Sequence, residues 1–470
     1  MYVAGEWRTN GAADQVRNSY SGEVVGEVAR ASAADVEAAL AAAVDAAASM
    51  RRLSAHERQT LLERAAELTT AAADELAQTI SSEVAKPITE ARSEAARIPD
   101  LIRLSAAEGA RMHGETVPVD AAPNAGDKMG FTLRQPCGVV VAVTPFNYPA
   151  LLVAHKVYPA LAAGNAVILK PASSTPLTAL LLTRLLLEAG LPENAIQCIT
   201  GAGGDVGTAL CADERVRKIS FTGSTAVGRR IAAVAGVKKL SLELGANCPV
   251  VVLPDADLEQ TAAAAALGGY VNAGQVCISV QRVLVDRSVY GDFLDALVPR
   301  VDAIRVGDPA DETTQLSALI SESEAERVEA TVRHAAEAGA RVLTGGGRAG
   351  AVVEPTIVAD VDPRLPLSRD ELFGPAVAVT PVDGIEEAIA LANDSAYGLG
   401  AGVFTSNVTN ALRFARDVDC GSIQINWTPL WRADLMPYGG LKGSGVGKEG
   451  PRYAVEEMTE LKVVVFHGIR

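Results

Sequence analysis

Short aliphatic runs alternate with helical stretches from Cys137 onward, and this alternation limits the fold more than any other feature. CGVVVAVTPF, NAVILKPA and IQCITG have the composition of buried strands, whereas LLVAHKVYPALAAG and TPLTALLLTRLLLEAG have helical spacing. Strand–helix–strand repetition with turns at the strand ends is typical of a doubly wound parallel sheet. A second series follows, with strands expected in PVVVLP, QRVLVD, RVLTGG, VEPTIV, AVAVTPV, GAGVFT and GSIQIN. The sequence therefore predicts an α/β protein.

The flanking regions have a different character. Residues 33–48 and 57–86 are rich in Ala, Leu and Glu and predict helices, the second of them ended by Pro87. Residues 112–136 contain Gly, Pro, Asn and Asp around short alternating pieces, which predicts a hairpin leaving the main body. The tail ELKVVVF predicts one last strand that pairs outside its own domain.

Length and charge limit the function. A chain of 470 residues is expected to form two or three domains, and its net charge of −15 argues against nucleic acid or an anionic membrane as partner. The six cysteines show no metal-binding spacing, so no metal is expected. They are too sparse for a disulfide framework, which predicts a cytoplasmic location. No signal peptide or membrane-spanning run is apparent, which predicts a soluble protein.

Several motifs in a fixed order connect the chain with a known family. TPFNYP, KPA, FTGST, ELGAN, GQVC, ELFGP and PYGGLKGSG occur in the order and at the separations of the aldehyde dehydrogenase superfamily, which the whole chain resembles. The resemblance implies a Rossmann-like cofactor domain, an α/β catalytic domain and a small β oligomerisation element. It also implies NAD- or NADP-dependent oxidation of a small aldehyde to its acid.

Three residues match the family's catalytic positions. Cys277 follows an apolar helix expected to end at Gly274, and a thiolate there can add to an aldehyde. Asn147, at a strand end, resembles the oxyanion ligand, acting together with the Cys277 N–H. Glu243 ends an apolar strand, where burial would raise its pKa and let it act as a base near neutral pH. Its presence favours hydrolysis of a thioester over transfer of the acyl group to coenzyme A.

The cofactor site is also assigned through the resemblance. Lys170 would contact the adenosine ribose or a 2′-phosphate. Ser173 stands where strict NAD users of the family often carry Glu, so both NAD and NADP stay possible cofactors. Gly223 and Ser224 lead into a helix expected near Ala226, whose amino end suits a pyrophosphate. The other expected contacts are Glu371 at the ribose on the nicotinamide side, Phe373 as ring support, and Thr144, Pro145, Phe146 and Leu244.

The substrate pocket is expected to be lined by Arg103, Tyr148, His155, Ile278, Trp427 and Arg432. The cationic residues among them could together bind a carboxylate, phosphonate, sulfonate or phosphate. Relatives that act on phosphorylated aldehydes often place Arg just before the nucleophile, and this chain has Val276, so lactaldehyde-like and succinate-semialdehyde-like substrates stay open. The stretch VCISVQR resembles the lactaldehyde and short-chain branch.

Three parts are expected: a cofactor domain over 1–112 and 137–245, a catalytic domain over 246–450, and an oligomerisation element over 113–136 and 451–470. The exposed backbone edge of the last strand predicts a homodimer or homotetramer. Two other functions stay open at this point, a coenzyme A-acylating dehydrogenase and a non-catalytic binding protein of the same fold.

Overall fold

The aliphatic runs form the centres of two large sheets in the computed structural model, which describes residues 1–9 and 11–469. Val, Ile and Leu fill these runs because helices cover both faces of the central strands. The strands, β1 to β24 in chain order, are Tyr2–Val3, Glu6–Trp7, Ala13–Arg17, Val24–Ala29, Thr116–Val117, Met129–Pro136, Val139–Val143, Ala166–Lys170, Ile196–Cys198, Lys218–Thr222, Lys239–Glu243, Cys248–Val252, Val280–Asp286, Arg341–Thr344, Arg348–Ala349, Val352–Val353, Thr356–Ala359, Ala376–Val382, Tyr397–Gly398, Gly400–Phe404, Ser422–Ile425, Leu441–Lys442, Gly445–Val446 and Thr459–Phe466.

Helices pack on these sheets, and within the described residues none is long and apolar enough to cross a membrane. The helices, α1 to α15 in chain order, are Ala33–Arg52, Ala55–Ala71, Ala73–Val84, Ile88–Ala110, Leu151–Ala162, Pro176–Glu188, Thr208–Ala212, Thr225–Ala235, Leu258–Tyr270, Tyr290–Asp302, Glu322–Glu337, Pro366–Arg369, Gly384–Asn393, Val408–Asp417 and Pro451–Glu457. The single helix predicted over 57–86 is two helices, because the backbone leaves the helical conformation at Ala72 (φ −94°, ψ 11°).

The first sheet confirms the doubly wound prediction. Its order is β2-β1-β9-β8-β7-β10-β11-β23, and β9, β8, β7, β10 and β11 are parallel. The chain runs from β7 to β8 on one side and later to β10 on the other, so β7 lies where the strand order reverses. Ligands of such sheets bind in the crevice beyond the carboxyl ends of the strands at this point. Asn147, Lys170 and Glu243 all follow or end strands at that edge.

The second sheet has the order β14-β17-β18-β13-β12-β20-β21, parallel except for β14. Its central strand β13 begins three residues after Cys277, so the predicted nucleophile lies in the segment that enters this sheet. The core on one face includes Phe293, Val328 and Phe404, all at most 1% exposed. The second sheet therefore positions the loop that contains Cys277, and the first sheet positions Asn147 and Glu243.

A third, antiparallel sheet joins the predicted hairpin to the terminal strand. In it β24 pairs with β6 over eight residues and β6 pairs with β5. Two elements near the expected boundary at residue 450 pack on the first sheet: β23 pairs with β11, and Val455 of α15 belongs to the core beneath that sheet. The reason is that the glycine-rich segment before α15 returns to the first sheet after the second is complete.

Candidate active site

A small cavity of about 90 Å³ brings together Cys277, Glu243 and Asn147, the three residues predicted to be catalytic. A larger groove of about 720 Å³ near residues 17–22 contains none of them. The small cavity is lined by segments from both large sheets; the remaining lining residues are Arg97, Tyr148, Leu151, Leu152, Thr222, Leu244, Val276, Ile278, Leu430, Arg432, Tyr438 and Glu449.

Asn147 is held on both its backbone and its side chain. Its carbonyl oxygen accepts hydrogen bonds from Lys86 Nζ (2.7 Å) and Asn272 Nδ2 (3.0 Å). Its own Nδ2 donates to the Gln275 carbonyl (2.8 Å), two residues before Cys277. The buried Lys86 ammonium is paired with Glu94 at 2.6 Å, which keeps the charge compensated. The Asn147 amide is thereby tied to the cysteine loop, with its second N–H hydrogen available to another acceptor.

The loop before Cys277 departs from the predicted helix. Helix α9 ends at Tyr270 rather than continuing to Gly274, and the next turn has positive φ at Asn272 (50°), Ala273 (53°) and Gly274 (70°). A left-handed non-glycine residue costs roughly 1–2 kcal/mol. Glu90 offsets part of this strain by accepting from the Asn272 N–H at 2.9 Å. A Cβ on Gly274 would lie 2.2 Å from the Gly374 carbonyl oxygen, so only glycine fits there.

Cys277 presents its thiol to the cavity beside a tyrosine. The Sγ atom lies 2.9 Å from the Tyr438 hydroxyl. Burial raises the pKa of the Cys277 thiol to about 12, and the hydrogen bond to Tyr438 acts in the opposite direction. A nucleophile in this environment depends on groups that stabilise its thiolate.

Glu243 is a buried carboxyl group at the end of β11, and neither of its oxygens has a hydrogen-bond partner among the described residues. Burial, followed by the nearby charge of Glu449, raises the pKa of Glu243 well above its usual range. The loop opposite approaches so closely that a Cβ on Gly439 would lie 2.6 Å from Glu243 Oε1. This carboxyl is therefore protonated more readily than an exposed one, and can exchange a proton with a molecule in the cavity.

The facing wall is cationic. Glu449 contacts Lys156 Nζ at 2.7 Å and Arg432 Nη2 at 3.5 Å, and all three side chains are at least nine-tenths buried. Burial alone would raise the pKa of Glu449, but its cationic neighbours, led by Lys156, lower it well below the usual range. The Arg432 guanidinium also stacks 3.8 Å over the Tyr438 ring. Its Nε has no hydrogen-bond partner within the described part of the chain.

The adenosine side of the predicted cofactor site lies at the end of β8. Lys170 is almost fully buried and its ammonium donates to the Pro171 carbonyl at 2.6 Å. Burial lowers the pKa of Lys170 to about 8. Ser173 is exposed, and its hydroxyl donates to the Gly201 carbonyl at 2.8 Å. Both side chains lie at the edge of the first sheet where a dinucleotide is expected to bind.

Helix α8 begins as predicted beside this edge. Ser224 is its N-cap and accepts from the Val227 N–H, while Gly223 precedes it without a side chain. The first turn is accessible, so its free N–H groups can receive a phosphate. Helix α8 packs closely against the end of β11, since a Cβ on Gly228 would lie 2.3 Å from the Leu244 side chain. These features fit a dinucleotide.

The predicted nicotinamide side of the cofactor site is formed by two loops. Glu371 accepts from the Ala246 N–H at 2.9 Å, and burial raises its pKa to about 7. Phe373 packs edge-on against Phe146 with ring centroids 6.0 Å apart. Thr144 donates its N–H to the Lys170 carbonyl and, with Pro145, continues the end of β7. The predicted cofactor residues thus line one edge of the first sheet, next to the cavity.

Comparison with known proteins decides the family. The model of the aldehyde dehydrogenase family matches residues 7–464. This chain belongs to the aldehyde dehydrogenase family. The aldehyde dehydrogenase is 45% identical to a 3-sulfolactaldehyde dehydrogenase of Priestia aryabhattai, over 99% of this chain and 98% of that protein. This relative supports placement in the lactaldehyde branch.

Two solved structures are similar to this aldehyde dehydrogenase over nearly its whole length. Aldehyde dehydrogenase 21 of Physcomitrella patens, in complex with the reaction product succinate, has a TM-score of 0.97 and 36% identity, covering 100% of this chain and 98% of that one. Glyceraldehyde-3-phosphate dehydrogenase of Methanocaldococcus jannaschii, complexed with NADP, has a TM-score of 0.93 and 37% identity, covering 96% and 98%. The chain is an NAD(P)-dependent oxidoreductase that acts on aldehydes, with the α/β fold of its family.

Three predicted substrate residues lie outside the cavity of the aldehyde dehydrogenase. Arg103 is on the surface of α4 and pairs with Asp100. His155 is buried behind the cavity wall, with Nδ1 3.3 Å from Arg432 Nη2, and burial lowers its pKa to about 4. Trp427 packs against the core of the second sheet. The other three expected substrate residues, Tyr148, Ile278 and Arg432, line the cavity.

The lining also includes residues that the sequence reasoning missed. Arg97 takes the place expected for Arg103, since six helical residues turn the side chain by roughly 240°. It shares a helix face with the half-buried Glu90 and the buried Glu94, and this spacing could have identified it. Tyr438 belongs to the motif PYGGLKGSG, which does not by itself indicate that its hydroxyl meets Cys277, and Glu449 had no comparable signal.

Proposed function

We propose that this aldehyde dehydrogenase oxidises a short aldehyde that carries an anionic group and releases the free carboxylic acid. The observation that carries the proposal is the meeting of Cys277, Asn147 and Glu243 around one small cavity beside Arg432. A thiol, an amide donor and a buried carboxyl are the groups needed to form and hydrolyse a thioester.

Acylation begins at Cys277. Its thiolate adds to the carbonyl carbon and gives a tetrahedral thiohemiacetal with a negatively charged oxygen. The carbon–hydrogen bond then breaks with its electron pair, and a thioester on Cys277 is left. When bound, NAD(P)⁺ supplies the acceptor for this hydride. Cys277 thus carries the acyl group until water releases it.

Asn147 holds the oxyanion in this proposal. One hydrogen of its Nδ2 is used by the Gln275 carbonyl, and the other is free to donate to the developing charge together with the Cys277 backbone N–H. The bonds from Lys86 and Asn272 to the Asn147 carbonyl keep this donor in place before the substrate arrives. Removing one such preorganised donor costs about 2.7–4 kcal/mol of transition-state stabilisation.

Glu243 completes the cycle as a general base. Its carboxylate takes a proton from water, the water oxygen attacks the thioester, and the acid leaves with the Cys277 thiolate restored. A raised pKa suits this role, because a base is most effective when its pKa lies near the working pH. A base poised for water favours hydrolysis over transfer of the acyl group to coenzyme A.

The anionic group of the substrate would bind at the cationic wall. Lys156 and Arg432 carry two positive charges against the single negative charge of Glu449, and Arg432 Nε is buried without a partner among the described residues. An added carboxylate, sulfonate or phosphate would balance that charge and accept this N–H. The named relatives support this choice, since 3-sulfolactaldehyde, succinate and glyceraldehyde 3-phosphate are all anions.

The cofactor contacts follow the predicted assignment. Lys170 and Ser173 would bind the adenosine ribose, and Ser173 has no carboxylate that would repel a 2′-phosphate, so both NAD and NADP are expected to bind. The amino end of α8 at Ser224 would hold the pyrophosphate. Glu371 would bind the ribose of the nicotinamide, and Phe373 would support its ring, next to Thr144, Pro145, Phe146 and Leu244.

Assembly into a homodimer or homotetramer belongs to the same proposal. Among the described residues β24 has a neighbour on one side only, and Leu461 and Val463 on it are about 60% exposed. An apolar edge strand of this kind favours pairing with a second copy. A cytoplasmic location and the three-part domain division stay predictions.

Lactaldehyde and 3-sulfolactaldehyde differ by a sulfonate and therefore test the proposed substrate class. We expect kcat/KM for the sulfonated aldehyde to be about 10–100-fold higher, because one charge-assisted pair contributes roughly 1.5–3 kcal/mol. Initial rates of NADH and NADPH formation measure both substrates and both cofactors. Equal kcat/KM for the two aldehydes would show that the enzyme does not recognise an anionic group on its substrate.

Two arginines of α4 provide a matched pair for the same assay. Arg97→Met removes a cation from the cavity lining, where Arg97 pairs with Asp434 at 2.6 Å, and should reduce the preference for the sulfonated aldehyde. Arg103→Met removes an exposed cation from the same helix and should leave the preference unchanged. Equal effects of the two changes would mean that only the overall charge matters.

A further inference from the structure

Tyr438 touches the reacting sulfur in the proposed reaction. Its hydroxyl oxygen lies 2.9 Å from Cys277 Sγ, and its side chain is buried in the cavity wall. We propose that Tyr438 is a catalytic residue, whose hydroxyl donates a hydrogen bond to the Cys277 thiolate. This hydrogen bond increases the fraction of Cys277 that is present as the thiolate at neutral pH. This inference rests on the proposed role of Cys277 as the nucleophile.

The surroundings hold Tyr438 in this position. Its N–H donates to the Glu449 carbonyl at 3.1 Å, and its carbonyl accepts from the Glu449 N–H at 2.7 Å. The Arg432 guanidinium covers one face of the ring, 3.8 Å from its centroid. Backbone pairing and a stacked cation leave the hydroxyl little freedom to turn away from Sγ. The contact is therefore part of the built site and does not depend on a mobile side chain.

The direction of the hydrogen bond follows from the chemistry of the two groups. Either atom can donate while Cys277 is a thiol, but a thiolate has no proton and can only accept. Burial raises the pKa of Tyr438 well above its usual range, so the phenol keeps its proton at neutral pH. The proton lost by Cys277 passes to solvent or to Glu243, while the Tyr438 proton stays on its oxygen.

Other charged groups around Cys277 come from several segments and do not replace this contact. Negative charge on Glu243 or Glu371 raises the pKa of Cys277 and so disfavours its thiolate. The Arg432 cation lowers this pKa. The titratable side chains that interact electrostatically with Cys277 are Tyr148, Glu243, Cys248, Glu371, Arg432 and Tyr438. Among the described residues, the Tyr438 hydroxyl makes the one direct hydrogen bond to Sγ. Removing it should therefore reduce thiolate formation more than any change that only alters distant charge.

Replacement of the hydroxyl tests the inference in the full-length enzyme. The measured quantity is the rate of Cys277 alkylation by iodoacetamide over a pH series, with the modified residue identified by mass spectrometry. Tyr438→Phe keeps the ring beneath Arg432 and removes only the donor. We expect alkylation at pH 7 to become about 10–100-fold slower, the range expected for a hydrogen bond to a charged group.

A stronger donor separates hydrogen bonding from packing. A fluorinated tyrosine incorporated at position 438 has a more acidic hydroxyl and should make alkylation faster, opposite to Tyr438→Phe. Tyr270→Phe is the matched control, because Tyr270 is also buried and its hydroxyl donates to the Thr356 carbonyl at 2.8 Å, outside the cavity. It should leave the alkylation rate unchanged.

The outcomes distinguish this inference from the proposed function. If both changes at position 438 slow alkylation, or neither alters it, Tyr438 is not a donor to the thiolate and the inference is overturned. If instead Cys277→Ala retains turnover, Cys277 is not the nucleophile and the proposed function itself fails. Slow alkylation with Phe and fast alkylation with the fluorinated tyrosine would establish Tyr438 as the donor.

Discussion

Two glutamates border the same cavity and have opposite surroundings. Glu243 ends a strand of the first sheet with no hydrogen-bond partner in the described residues, whereas Glu449 is held by Lys156 and Arg432. The two carboxyls are the same chemical group and both are almost fully buried. Burial raises the pKa of Glu243, while the cationic neighbours of Glu449 overcome the same burial and lower its pKa. Neighbours, rather than burial, therefore decide which of them can exchange a proton.

The difference matches two separate tasks. An unpartnered carboxyl can take up and release a proton during turnover, as a base for water must. A carboxylate held by two cations stays charged and keeps Arg432 in place over Tyr438. If both glutamates were paired, the site would lack a base; if neither were, the buried cations would be uncompensated.

The largest effect is expected from Glu243→Gln on turnover. The amide cannot accept a proton from water, so the thioester should form but hydrolyse slowly. We expect a stopped-flow burst of reduced cofactor of near-normal rate, followed by a steady rate lower by about 10²–10⁴. An unchanged steady rate would show that another group is the base, and loss of the burst would place Glu243 in acylation.

Glu449→Gln should have the largest effect on folding. Removing one partner of a buried charge cluster leaves Lys156 and Arg432 insufficiently compensated, which typically costs roughly 3–5 kcal/mol. Urea unfolding measures this change, with Glu243→Gln as the matched control at a site without ion pairs. The control should not lower the free energy of unfolding at neutral pH, because Glu243→Gln removes an unpartnered buried carboxyl and leaves no other charge uncompensated. Similar losses for both variants would contradict the contrast between the two glutamates.

The pH dependence of stability should differ in sign between the two sites, with smaller effects. Glu449 has a lowered pKa, so its stabilisation is present above the ordinary value of 4.5 and is lost as the pH falls below it. Glu243 has a raised pKa, so its contribution is complete below 4.5 and is lost as the pH rises toward its own pKa. A tenfold difference in the proton affinity of a carboxylate between the folded and unfolded chain changes the free energy of unfolding by about 1.4 kcal/mol.

Unfolding curves over a pH series test this sign difference. The advantage of the parent enzyme over Glu449→Gln should shrink on acidification below pH 4.5. Relative to Glu243→Gln, the parent should instead lose stability as the pH rises above 4.5. Parallel curves for the two comparisons would mean that the carboxyls share one environment.

The sequence predicts the strands, the family and three residues that line one cavity, because those depend on local patterns and ordered motifs. Aliphatic runs such as β7 and β8 identify buried strands, and the motifs around Asn147, Glu243 and Cys277 identify residues that the fold brings together. The sequence does not fix which face of α4 points to the cavity, so it predicts Arg103 where the structure has Arg97. The predicted extension of α9 to Gly274 was wrong, because the backbone after Tyr270 is left-handed from Asn272 to Gly274, where Glu90 binds the Asn272 N–H.

The central claim is that Cys277 carries the acyl group until Glu243 directs water to it. Mass spectrometry of the Glu243→Gln enzyme, quenched by acid during the burst with aldehyde and oxidised cofactor, tests it most directly. The account predicts an added acyl mass on the peptide that contains Cys277, absent when Cys277→Ala is combined with this change. An acyl group on another residue, or none while reduced cofactor has formed, would contradict it.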